Sequence, residues 1–268
     1  MVKRLFLVLL SLLMLGLAGS ALAESDPSLM GWWTFDEGSG TTAMDSSGNG
    51  PDIELVNTTW EEGVLGGAVH FHGTGYGRDT SFSHSENAIT VSTWVWHDEF
   101  MTGVERYVTV GSEVAVLRRN SDGRLHFYIT TGGAFSHLYV DDVLTEGQWL
   151  HVAGTWDGVT QRLYLDGVEI ASATPGGALA TGTMVRLSSP DGEFLNGILD
   201  DVRIYNRALS QLEIMTLMDP AALAKASKPV PADRATDVPR DVTLSWTPGA
   251  FAGSHDVYVG ANFDDVND

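Results

Sequence analysis

Short apolar runs separated by glycine-rich turns fill the chain from Leu29 to Tyr205. Leu29–Phe35 (LMGWWTF) reads as a first strand. Ile89–His97 (ITVSTWVWH) is apolar on both parities, as expected of a strand covered on both faces. Hairpins then follow quickly. Val114–Arg119 and Arg124–Thr130 flank Ser121-Asp122-Gly123, Trp149–Trp156 and Thr160–Leu165 flank Asp157-Gly158, and Leu163–Leu165 and Val168–Ala171 flank Asp166-Gly167. Asp-Gly in such a place predicts a type I′ turn, which needs positive φ at both central residues. Helical periodicity is absent before Ser210. There Ser210-Gln-Leu-Glu213 has the spacing of a capping box, with Leu212, Met215 and Leu217 as the apolar side of a short helix. The pattern predicts an all-β fold, an antiparallel β-sandwich jelly roll with one short C-terminal helix.

The last strand, opening Gly197–Leu217, carries Ile198, Val202 and Ile204 on one parity. Asp200 and Asp201 interrupt it, although aspartate is depleted in strands. Asp200 shares the core-directed parity, where an unpaired charge is costly. Asp201, on the other parity, is expected to be solvated or hydrogen-bonded at an edge.

The chain begins with Lys3 and Arg4, an apolar run from Leu5 to Ala18, and Ala21-Leu-Ala23. This is the layout of a secretory signal peptide over residues 1–23; the run is shorter than the roughly 20 residues of a membrane span. Residues 24–218 hold the sandwich. Residues 219–233 have a linker's Ala/Pro/Lys/Ser composition. Residues 234–268 read as an incomplete fibronectin- or Ig-like module, with strands at Asp241–Trp246 and His255–Val259. Two strands alone do not make a stable sheet, so the chain reads as part of a longer protein.

The formal net charge is −20, and about −22 without Lys3 and Arg4. That argues against binding nucleic acid, whose phosphates call for Lys/Arg patches. The absence of cysteine excludes disulfides, thiolate metal sites and cysteine nucleophiles. Acidic loops can hold calcium, although solubility alone accounts for most of this charge.

Gly31-Trp-Trp-Thr-Phe-Asp-Glu-Gly-Ser-Gly40, Asp45-Ser-Ser-Gly-Asn-Gly50, Ala88–Val95, Trp149–Gly158, Arg162–Gly167 and the closing stretch occur in that order. Together they resemble the laminin-G-like jelly roll of the concanavalin A-like lectin/glucanase superfamily, over roughly residues 28–218. The resemblance implies a non-catalytic binding module for a polysaccharide, a glycoprotein glycan or an extracellular protein. It also implies a structural Ca²⁺ held by Asp200 and, after the first strand, by Asp36 with carbonyls near Glu37 and Gly38. Asp45 and Asn49 are weaker candidates, because turn demands explain that segment. The bland alternative for Asp200 is a carboxylate accepting backbone N–H bonds.

Sugar sites need flat rings beside polar groups. Trp94, Trp149 and Trp156 sit among apolar strand residues and read as core. Trp60, Tyr76, Phe100, Tyr107 and Phe135 lie in loop-like stretches and are the ring candidates. His70 and His72 share a strand face, but spacing supplies no third metal ligand, so both read as solvent-facing. No strand carries the Glu-x-Asp-x-Glu run of the superfamily's hydrolases, and no G-x-S-x-G or H-E-x-x-H occurs. The expectation is a secreted binding module and not an enzyme. The alternatives are an interaction module without a sugar site or a divergent glycosidase.

Overall fold

The computed structural model describes residues 26–218 and two short strands, Ser227–Val230 and Ser245–Thr247. Residues 26–218 form two antiparallel sheets, with strands numbered here in chain order. The first sheet runs β14 (Val168–Ala173), β13 (Gln161–Leu165), β12 (Trp149–Trp156), β7 (Ile89–His97), β16 (Gly197–Tyr205), β5 (Gly67–His70) and β4 (Thr59–Glu62). Strand β1 (Leu29–Trp33) also pairs β16, with Trp33 opposite Val202. The second sheet runs β11 (Ala134–Val140), β10 (Leu125–Thr131), β9 (Ala115–Arg119), β8 (Glu105–Val110), β15 (Gly182–Leu187), β6 (Tyr76–His84), β3 (Ile53–Val56) and β2 (Thr42–Ala43). The sandwich expected from the turn pattern is present.

Between the sheets, Trp33, Phe35, Phe71, Tyr107, Leu117, Phe127, Trp156 and Leu163 are fully buried in one apolar core. A smaller cluster lies where α1 (Gln211–Met218) brings Ile214 and Leu217 to Ala153, Tyr164, Tyr205 and Leu209. The capping box forms: Ser210 N–H donates to Glu213 Oε2 at 2.8 Å, and Glu213 N–H donates to Ser210 Oγ at 3.3 Å. The helix is rotated from the expected face. Ile214 and Leu217 are buried, whereas Leu212 and Met215 are exposed, because Ile214 and not its neighbours meets the sheet.

Only one of the three Asp-Gly turns has positive φ at both central residues: Asp166 (φ 47°) and Gly167 (φ 75°). At Asp157-Gly158 the glycine alone is positive. Asp157 instead caps its turn by accepting N–H bonds from Val159 and Thr160. The local side-chain bond there replaces the left-handed aspartate.

Strand β16 departs from simple alternation. Its register against β7 shifts between Asp200 and Arg203, and Asp201 takes φ 50°. The extra residue is a β-bulge. It puts Leu199, Val202 and Ile204 in the core and leaves Ile198 half-buried outside it, correcting the expected parity. Trp94, opposite Asp200, and Trp149, opposite Trp96, also lie outside the inter-sheet core; of Trp94, Trp149 and Trp156, the three expected in the core, only Trp156 packs inside it. The strands Ser227–Val230 and Ser245–Thr247 pair antiparallel, the first within the stretch expected to be linker. The expected signal peptide (1–23), the remainder of 219–233 and the strand His255–Val259 lie outside the described residues.

Gly154 on β12 lies directly over the Phe127 ring, and a Cβ there would stand 2.4 Å from it. Gly154→Ala therefore forces the two sheets apart locally. It is expected to cost about 1–3 kcal/mol, read as a lower urea midpoint with an unchanged m-value.

Candidate functional site

The bulge turns both carboxylates of β16 toward polar partners. Asp200 is fully buried, and its Oδ2 accepts N–H bonds from Val64 and Leu65 at 2.8 and 2.9 Å, in the turn joining β4 to β5. Asp36, just after β1, accepts from Gly67 N–H at 2.8 Å on the same turn. A Cβ on Gly63 would strike Asp200, and one on Gly66 would strike Asp36, so both glycines are needed for this approach. Asp201 is buried as well; of the two expected environments it takes the hydrogen-bonded one, in the interior and not solvated at an edge. Its Oδ1 accepts from Trp32 Nε1 at 2.6 Å and from Arg203 Nη2 at 2.9 Å. Arg203 in turn lies over the Trp32 ring, 4.6 Å from its centre.

Burial pushes Asp200 up to about 6, opposed by the Leu65 and Val64 N–H groups and reinforced by the Asp201 charge. Burial also raises Asp201, against the charge of Arg203. Asp200 Oδ1, Asp201 Oδ2 and Glu37 Oε2 are buried without a hydrogen-bond partner, an uncommon condition for carboxylate oxygens. Among the described residues no three His, Asp or Glu side chains form a metal-holding group. A cation here would thus need backbone carbonyls beside Asp36 and Asp200, which Ca²⁺ accepts readily. Glu37 Oε1 is occupied by Met44 N–H, and Gly38 supplies a left-handed turn at φ 65°. Asp45 accepts from Trp32 N–H and Gly50 N–H, and Asn49 donates to Leu29 O. Those bonds account for both residues as turn builders.

A second constellation covers the outer face of β8–β11. Pairing sets His126 opposite Tyr139 and Tyr128 opposite His137, with Arg118 opposite both His126 and Arg106. The rings form a continuous strip. Phe135–Tyr128 centroids lie 5.6 Å apart, Tyr128–His137 5.5 Å, His126–His137 5.1 Å and His126–Tyr139 5.9 Å. Phe135 and Tyr139 are about half exposed, at 55% and 50%. Arg118 lies 4.9 Å above the Tyr128 ring, and Arg106 bonds both Glu113 and Glu193. Two guanidiniums thus face two carboxylates beside a row of rings.

The hydrogen bonds also fix the histidine protons. Arg118 Nε only donates, and it reaches His126 Nδ1 at 3.0 Å. Neutral His126 therefore carries its proton on Nε2, which meets His137 Nδ1 at 3.1 Å. His137 is left with its proton on Nε2. Burial, then Arg118 and His137, drives His126 down to about 3; burial and Arg118 lower His137 too. Burial would raise Glu113, but bonding and charge from Arg106 outweigh it and hold it below the usual carboxylate range.

Of the ring candidates, Phe135 alone belongs to this strip, and it lies in a strand, not a loop. Tyr107 is fully buried, its hydroxyl 2.9 Å from His97 Nε2, and cannot meet a ligand. Phe100 packs beneath the Arg119 guanidinium at 4.4 Å and against the core. Trp60 lies in β4 with its Nε1 donating to Gly40 O, and Tyr76 lies in β6 beside Arg78. His70 bonds Asp98 Oδ2 at 2.6 Å and stacks on His72 at 3.7 Å, so only His72 is exposed. Sequence reading missed Tyr128, His137 and Tyr139. The alternation of Phe135, His137 and Tyr139 was the available signal.

Residues 71–215, more than half of the chain, match the laminin-G-type description of the concanavalin A-like lectin/glucanases superfamily. The chain belongs to this superfamily. Among solved structures, this concanavalin A-like domain is similar to domain 4 of the extracellular GH43 arabinanase AbnA from Geobacillus stearothermophilus, in complex with arabinotriose. The identity is 20% and the TM-score 0.61, covering 72% of this chain and 98% of that one. The binding domain of Paraclostridial Mosquitocidal Protein 1 has 16% identity and a TM-score of 0.58, covering 75% of this chain and 54% of that chain. The receptor-binding domain of botulinum neurotoxin D has 13% identity and a TM-score of 0.58, over 75% and 55%. No curated protein matches the chain. Among the described residues no helix is long and apolar enough to cross a membrane.

His126 gives this concanavalin A-like domain a defined pH response. Folding lowers its pKa from 6.5 to about 3, so the unfolded chain binds the proton first. The neutral ring carries no penalty above pH 6.5, and stability falls as pH drops from there toward 3. The slope is at most about 1.4 kcal/mol per pH unit. Asp200, raised on folding, acts in the opposite sense between about 4 and 6. The contribution of His126 is therefore isolated by comparing wild type with His126→Gln in urea melts from pH 7 to 4, where the variant should lose less stability.

Proposed function

We propose that this chain is a secreted, non-catalytic glycan-binding module, and that the ring strip on the outer face of β8–β11 is its binding surface. One observation carries the reading: half-exposed Phe135 and Tyr139, with Tyr128 and His137 between them, adjoin the Arg106–Glu113–Glu193 network. Rings stack on sugar faces, and charged groups whose partners are already in place bind hydroxyls without rearranging. The basic and apolar N-terminal run of Lys3 to Ala23 supports secretion. The likeness to a domain of an extracellular arabinanase is consistent with a module that serves a larger glycan-active protein. The strip holds two carboxylates, but both are bonded to Arg106, which supports the non-catalytic reading.

The test is a glycan array of the recombinant domain beside Tyr139→Ala and Phe135→Ala, the two half-exposed rings. Selective binding that each variant weakens about tenfold is the expected result, in line with the energy of one stacked ring. Uniform blanks with a folded protein sink this reading and favour a protein-interaction module.

A structural Ca²⁺ is the second part of the reading. Asp36 and Asp200, with carbonyls near Glu37 and Gly38, would hold it, and the unpartnered Asp200 Oδ1 supports this assignment. The ion would neutralise carboxylates that burial otherwise penalises. Calcium at 100 times its Kd should then stabilise the domain by about 2.7 kcal/mol, and Asp200→Asn should abolish the rise in Tm. An unchanged Tm with calcium and with EDTA would remove the metal from the account.

A further inference from the structure

We propose that the ring strip takes an internal stretch of a neutral polysaccharide, which crosses Phe135 and occupies the two cavities that share its ring as a wall. The inference rests on the glycan reading above and goes beyond it to the kind of glycan. Phe135 is a wall of two separate cavities. One, of about 170 Å³, is bounded also by Arg106, Glu113 and His137. The other, of about 410 Å³, is bounded also by Ala134 and by the loop Pro175–Gly177. The first lies below the size range of drug-sized sites and suits a single sugar unit; the second has room for two.

The larger cavity opens to solvent beside Gly133 and Gly176. Part of its wall is bare backbone: Gly132 and Gly177 sit so close that a Cβ on Gly177 would lie 2.7 Å from Gly132 N. A Cβ on Gly133 or Gly176 would meet nothing within 4 Å. A chain entering on one side of Phe135 thus leaves freely on the other, whereas recognition of a chain end would call for a wall. Phe135, exposed between the two, offers its faces to consecutive units.

The charges select against an acidic ligand. Arg106 is already bonded to Glu113 and Glu193, and Arg118 lies 3.8 Å from Glu193. These four groups cancel, and the chain as a whole is strongly acidic. A uronate or sulfate ester would meet no spare cation. Neutral hydroxyls find acceptors in the carboxylates and a donor in His137 Nε2–H, whose proton the Arg118–His126 relay fixes in place.

Calorimetry separates these features, using arabinose through arabinohexaose, glucose through cellohexaose, and polygalacturonate as the acidic probe. In whichever neutral series binds, affinity should rise at least tenfold between one and four units. Reducing the terminal sugar to its alditol should not lower it. Phe135→Ala should remove most of the rise, Phe135→Leu part of it, and Ala134→Arg, which fills the larger cavity, should cut the gain from added units. Both positions are exposed, and circular dichroism verifies folding. Affinity independent of length, loss on end reduction, or polygalacturonate binding as tight as the neutral chains overturns the inference while leaving glycan binding intact. Blank titrations in both series together with a blank array overturn both.

Discussion

Two adjacent carboxylates on a strand at the centre of a sheet are the constraint on which one end of this molecule depends. A regular β16 would send Asp200 into the apolar core beside Val202, at a cost of several kcal/mol for an uncompensated charge. The bulge at Asp200–Asp201 avoids this by inserting one residue and reversing the parity. Asp200 then leaves the core for the N–H groups of Val64 and Leu65, and Asp201 for Trp32 and Arg203. The partners lie in three places: the β4–β5 turn, β1 and β16 itself. The carboxylates thus clamp the first strand and the β4–β5 hairpin to the closing strand.

That arrangement explains why the fold was more legible in sequence than the sites. Turn spacing and continuous apolar runs report strand content directly, and β1 pairs with β16, the strands beside which the resemblance places Asp36 and Asp200. A bulge has no such signature. One inserted residue changes the facing of Ile198, Leu199 and Asp200 together, and period-two reading assigns all three wrongly. Loop-like composition misled in the same way around Tyr107 and Phe135: both lie in strands, one facing the core and the other solvent. Candidate rings chosen by composition were therefore scattered over the molecule. The strip depends on cross-strand pairing between β10 and β11, which no single segment contains.

The ring strip on β8–β11 illustrates how an edge strand can be tolerated. β11 ends its sheet, and an edge with exposed Phe135, His137 and Tyr139 is a hazard for strand addition. Next to the rings stand polar groups already bonded to one another, Arg106 with Glu113 and Glu193, and Arg118 with His126. Such a surface presents little unsatisfied polarity to a passing strand, but many donors and acceptors in fixed orientation to a sugar.

The two constellations occupy different sheets, yet one segment reaches both. Glu193, which joins the platform by bonding Arg106, lies in the loop immediately before β16, and its carbonyl accepts Arg106 N–H at 3.1 Å. Three residues later Asn196 N–H is fixed by buried Glu105, itself paired with Arg119. Strand β16 follows at once and reaches Asp200. Any loss of register in β16 would therefore release Glu193 as well as the β4–β5 turn, leaving Arg106 with Glu113 as its remaining carboxylate. The neutrality of the proposed binding face, on which its proposed selectivity rests, is in this sense held from the opposite sheet.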